Sequence, residues 1–97
     1  MKFPDYKKLS REEFEKQVDI YWNIKANNLL LGRKIVKVEY MSKAECNDMY
    51  WDDAPVCIQL DSGVWIYPSQ DDEGNNGGAL FTSAKGNYES CLPTMRI

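Results

Sequence analysis

The hydrophobic period of this chain changes once, at Gly32. Before it, Phe14, Val18, Tyr21, Trp22 and Leu29 recur three or four residues apart, which paints one face of a helix apolar. After it, Val36, Val38 and Tyr40 alternate with Ile35, Lys37, Glu39 and Met41, the period of a strand. A chain of 97 residues holds a single domain. The switch therefore predicts an α+β fold: one N-terminal amphipathic helix packed on a small, curved antiparallel sheet of about three to five strands, barrel-like if the curvature is strong. The helix is expected over 10–30, an extended arm over 1–9, and mainly antiparallel β structure over 33–97.

Local signals place the elements. Ser10 and Glu13 form a capping box at the helix start, with Leu9 and Phe14 as its hydrophobic staple. Ser42 and Glu45 repeat the box and open a short helical turn reaching Tyr50. Trp51 to Pro55 reads as a loop, because Pro55 cannot continue a helix. Val56–Leu60 and Val64–Tyr67 both alternate and are joined by Asp61-Ser62-Gly63, a link that suits a hairpin with Gly63 at positive φ. Val56, Ile58 and Leu60 should share one face with Val64 and Ile66, which leaves Trp65 and Tyr67 on the other. Pro68 ends that strand, 69–78 is a polar loop, Ala79–Thr82 a short strand, Ser83–Glu89 a turn, and Cys91–Ile97 an edge strand.

Composition removes whole classes of chemistry. There is no histidine, so no Ser-His-Asp or Cys-His machinery and no zinc site that needs imidazole. Three cysteines, Cys46, Cys57 and Cys91, make neither a CxxC pair nor an even disulfide set, and read as reduced thiols in a cytoplasmic protein. The net charge of −3 argues against nucleic acid and against anionic membranes. Residues 1–43 carry ten basic and six acidic side chains, a balance of +4, whereas 44–97 carry two and nine, a balance of −7. No apolar run resembles a leader or a membrane span, Leu29-Leu30-Leu31 being the longest aliphatic stretch.

Two groups of residues stand out as candidate sites. The loop holds Ser69, Asp71, Asp72, Glu73, Asn75 and Asn76 among three glycines. Asp71, Asp72 and Glu73 are the candidate ligands for a divalent cation, although the EF-hand order fails: counting from Asp71, the sixth residue is Asn76 and the twelfth Thr82. The other group is aromatic. Trp51, Trp65 and Tyr67 combine apolar surface with hydrogen-bonding edges, the make-up of an interface or of a seat for a flat ligand. No cofactor is required by either group.

Two stretches carry a resemblance. Leu31-Gly32-Arg33-Lys34-Ile35-Val36-Lys37-Val38-Glu39-Tyr40-Met41, and the segment from Ile58-Gln59-Leu60-Asp61-Ser62-Gly63 through Tyr67-Pro68-Ser69-Gln70-Asp71-Asp72-Glu73-Gly74-Asn75-Asn76-Gly77-Gly78-Ala79-Leu80-Phe81, resemble a group of short bacterial and phage proteins to which no activity attaches. That resemblance implies a phage-encoded chain acting in a host cytoplasm. The order of one helix and then strands is similar to Sm-like small barrels, but the basic loop that RNA would need is missing. The expectation is a non-enzymatic binding protein, self-associating or gripping a protein partner through its aromatic sheet face with the acidic loop at the rim. The alternative is a small metal-assisted enzyme or a nucleotide-binding domain using Asp71, Asp72 and Glu73.

Overall fold

The computed structural model describes residues 10–86 and 90–97. The expected arm over 1–9 and the end of the expected turn at 83–89 lie outside the described residues. The chain divides into two compact units, 1–33 and 34–97.

In the first unit, α1 spans Arg11–Leu30. Its start follows the sequence closely: the Glu13 amide donates to Ser10 Oγ at 3.2 Å, and the Ser10 amide donates back to Glu13 Oε2 at 3.4 Å. Leu31 donates its amide to the Asn27 carbonyl at 2.9 Å, and Gly32 then turns the chain at φ +76°. No residue of α1 is buried. The sequence explains why the stripe is diffuse. At 3.6 residues per turn, Phe14, Val18, Tyr21, Trp22 and Leu29 cluster, but Ile20 and Ile24 fall on another flank and Lys25 sits within the cluster. There the Lys25 ammonium lies 5.0 Å from the Trp22 ring centre.

The second unit begins with β1 (Ile35–Tyr40), then α2 (Lys43–Asp48), β2 (Asp53–Ala54) and β3 (Val56–Leu60). The remaining strands are β4 (Trp65–Ile66), β5 (Leu80–Phe81), β6 (Cys91–Leu92) and β7 (Met95–Arg96). Among the described residues they form a three-stranded antiparallel sheet ordered β1-β3-β4 and two small pairs, β2-β7 and β5-β6. The fold is α+β, and the sheets do not close into a barrel. The hairpin matches its sequence: Gly63 has φ +89° and donates to the Leu60 carbonyl at 2.9 Å, while the Leu60 amide returns to the Val64 carbonyl at 2.9 Å. The expected loop at Trp51–Pro55 is partly a strand, since Asp53 pairs with Arg96 and Ala54 with Met95.

The core of this unit forms on the side of the sheet that carries Met41 and Cys57, joined by Cys46, Trp51 and Ala54. The aliphatic face, which the sequence offers as the packed one, buries Val56 and Leu60 but leaves Val36 59% and Val38 57% exposed. The reason is local. The segment directly after β1 supplies α2 and Trp51, and cover that is close in sequence closes short loops at small entropic cost. The Ser42–Glu45 box starts α2 as expected, with the Glu45 amide donating to Ser42 Oγ at 3.2 Å.

The end of α2 is unusual. Trp51 donates its amide to the Cys46 carbonyl at 2.8 Å and Tyr50 to the Asn47 carbonyl at 3.2 Å, a helix end that requires the first of these two donors in sequence to be left-handed. That residue is Tyr50, at φ 59° and 93% exposed. Its ring makes no buried contact, so Tyr50→Gly should relieve about 1 kcal/mol of backbone strain. Thermal unfolding should accordingly shift upward by roughly 4–8 °C.

Candidate functional site

The alternation of β1 places Glu39 and Met41 on one sheet face, and pairing brings Cys57 directly beside Glu39 and Trp65 beside Gln59. The register, continued by one residue, sets Tyr67 opposite Cys57. Glu45 enters from α2. These side chains, together with Tyr40, line a cavity of about 90 Å³. Its floor is buried Met41 and Cys57; its walls are Trp65 and Tyr67, 38% and 45% exposed.

Several members of the lining are held by neighbours outside it. Tyr67 meets the buried Trp51 edge to face, ring centres 5.9 Å apart at 65°. Tyr40 donates its hydroxyl to the Pro93 carbonyl at 2.9 Å. Glu45 Oε1 accepts from Ser42 Oγ at 2.8 Å, so the capping box that starts α2 also fixes one carboxylate of the cavity. Glu39 is the freer carboxylate, with Lys37 Nζ 3.6 Å from its Oε1, and the same ammonium lies 5.9 Å from the Trp65 ring centre. Burial pushes the Cys57 thiol above its ordinary pKa, and the Glu45 and Glu39 carboxylates and the neighbouring Cys46 push it further. It stays protonated, the opposite of an activated nucleophile. All three cysteines are free.

The 69–78 loop is exposed over 70–75 but seated on the rest of the unit at its base. Asn76 Oδ1 accepts from the amides of Asp53 at 3.0 Å, Asp52 at 3.2 Å and Gly77 at 2.9 Å, while its Nδ2 donates to Asp53 Oδ2 at 3.1 Å. Ser69 Oγ donates to the Asn76 carbonyl at 2.9 Å. Trp51 Nε1 donates to the Gly74 carbonyl at 2.8 Å. Both glycines at the loop's end are buried. A Cβ on Gly77 would run into the Asp53 carbonyl oxygen, and one on Gly78 would lie 2.8 Å from the Ser69 carbonyl.

The candidate residues therefore separate. Trp65 and Tyr67 come together at the cavity. Trp51 does not present a contact surface; at 3% exposure it belongs to the core, because the helix end at Tyr50 turns it inward and the loop uses its indole N–H. Asn76 holds the loop to 52–53, and Ser69 ties the two ends of the loop together through the Asn76 carbonyl. Asp71 accepts from the Asn75 side chain at 2.8 Å and from the amides of Asn75 and Glu73 at 3.2 and 3.0 Å, bonds that hold its carboxyl below the ordinary range. The Asn75 side chain also donates its Nδ2 to Glu73 Oε2 at 3.3 Å. Asp72 and Glu73 are exposed at the tip. Among the described residues no three thiol or carboxylate groups gather as ligands for a metal ion.

No protein-family model, curated protein or solved structure matches this chain.

Sequence reasoning missed Glu39, Glu45, Met41 and Cys57 as cavity residues. A signal for the first was present: Glu39 lies in the same period-two row as Lys37, on a strand whose opposite face is wholly apolar. Glu45 was hidden behind its capping role, which uses the same carboxylate.

Proposed function

We propose that this chain is a non-enzymatic interaction protein that grips a protein partner at the cleft between Trp65 and Tyr67. The acidic tip of the 69–78 loop, tied to the Tyr67 wall through Trp51, forms the rim. The observation that carries this reading is a pair of half-exposed aromatic rings above a buried floor, one of them held edge to face by a core tryptophan. A ring held in advance, as Tyr67 is by Trp51, loses little freedom on binding, and aromatic anchors dominate interface energies. A nucleotide fits less well, since the cavity of about 90 Å³ is far below the roughly 300 Å³ where small-molecule pockets begin. A metal-assisted reaction at Asp71, Asp72 and Glu73 is disfavoured by the use of both Asp71 oxygens within the loop. The resemblance of 31–41 and 58–81 to phage proteins makes a phage-encoded inhibitor of a host protein the concrete form of the proposal.

Selection of a random peptide display library against the folded protein tests it. Enriched sequences should lose on the order of tenfold or more in affinity for Trp65→Ala and keep it for Phe81→Ala, an exposed ring outside the cleft. Sequences that bind Trp65→Ala as well as the parent protein, or no enrichment at all, would overturn the reading.

A further inference from the structure

Resting on that reading, we infer that the group entering the cleft is a cation, the guanidinium or ammonium head of an arginine or lysine side chain in a basic segment of the partner. The lining contains three aromatic side chains, Tyr40, Trp65 and Tyr67, whose ring faces are electron-rich, and two carboxylates, Glu39 and Glu45, with no basic side chain among them. Glu39 and Glu45 both bear on the Cys57 thiol at the floor, so their fields converge inside the cavity.

The molecule supplies its own sample of such a cation. Lys37 places its ammonium 3.6 Å from Glu39 Oε1 and 5.9 Å from the Trp65 ring centre, at the sheet position next to the cleft. The carboxylate and the ring thus act on one positive charge together, and a partner's cation would displace or join it. Size agrees. A volume of about 90 Å³ is far below the roughly 300 Å³ at which small-molecule pockets begin, and suits the head of one side chain. The long-range field agrees as well, since 34–97 carries five basic and ten acidic side chains, a balance of −5 that draws basic segments toward it. An anionic group would meet two carboxylates in the lining, and the nearest ammonium, Lys37, is already paired with one of them.

The test uses the whole chain and two tripeptides, N-acetyl-glycyl-arginyl-glycinamide and its citrulline counterpart, which has the same shape without the charge. Binding is read from the indole N–H resonance of Trp65. The arginine peptide should give a saturable shift and bind about tenfold more tightly than the citrulline peptide. Glu39→Gln should weaken it about three- to tenfold, and Lys37→Gln should tighten it about two- to threefold by removing the internal competitor. Both side chains are about half exposed, so neither substitution threatens the fold, and circular dichroism confirms this. Equal binding of the citrulline peptide, or weaker binding on Lys37→Gln, would overturn the inference. The display selection separates the two levels. Cleft-dependent sequences rich in Arg and Lys support both, cleft-dependent sequences without a basic residue leave the interaction reading standing and remove the cation, and an absence of cleft-dependent sequences removes both.

Discussion

Gly77→Ala is expected to cost the 34–97 unit about 3 kcal/mol or more and to lower its unfolding midpoint by roughly 12 °C or more. The added methyl would meet the Asp53 carbonyl oxygen and lie 2.8 Å from Pro55 Cδ. Neither obstacle is the free end of a flexible side chain. One is the backbone of β2 and the other a ring buried among core residues, so relief requires moving the strand or lifting the loop. Lifting the loop breaks the Asn76 clamp on the Asp52 and Asp53 amides and the Trp51–Gly74 bond. Gly63→Ala is the comparison: nothing lies within 4 Å of its Cβ position, and only the positive φ resists, at about 1 kcal/mol. Circular dichroism melts of the two variants decide the matter. If Gly77→Ala melts no lower than Gly63→Ala, the loop is not seated on 53–55.

The legible parts of the fold were those specified by neighbours in sequence. Both capping boxes need only residues three apart, the hairpin only the alternation around Asp61-Ser62-Gly63, and Gly32 only its freedom of φ. Trp51 was not legible in that way. Its burial depends on Tyr50 adopting a left-handed conformation that a tyrosine rarely takes, so the sequence signal pointed to a loop where the backbone turns a ring into the core. The anchoring of the loop at 69–78 was not legible for a related reason. Polar composition suggests solvation, but Asn76 hydrogen-bonds to backbone 23 and 24 residues away, a pairing that composition does not encode. Of the site, Trp65 and Tyr67 followed from strand alternation, whereas Glu45 required knowing that α2 folds over the same sheet face.

Trp51→Ala should cost about 3–5 kcal/mol, half or more of the roughly 6 kcal/mol that 34–97 holds at about 0.1 kcal/mol per residue, and lower its unfolding midpoint by roughly 12 °C or more. Trp51→Phe dissects that loss. Phenylalanine keeps most of the apolar volume among Met41, Cys46, Ala54 and Cys57, but cannot donate to the Gly74 carbonyl, a net loss of about 1–2 kcal/mol. Hydrogen exchange should then quicken at the amides of 73–77 while β3 stays protected, because the broken bond ties the loop and not the sheet. The same indole backs the Tyr67 ring, so Trp51→Phe should also weaken arginine-peptide binding about two- to threefold while the Trp65 resonance keeps reporting a folded cleft. Equal acceleration of exchange across β3 and the loop would show that Trp51 supports the unit as a whole and has no separate hold on the rim. Selective acceleration in 73–77 would show one side chain serving as core filler, loop anchor and back wall of the cleft, so that binding strength and loop order change together when it is altered.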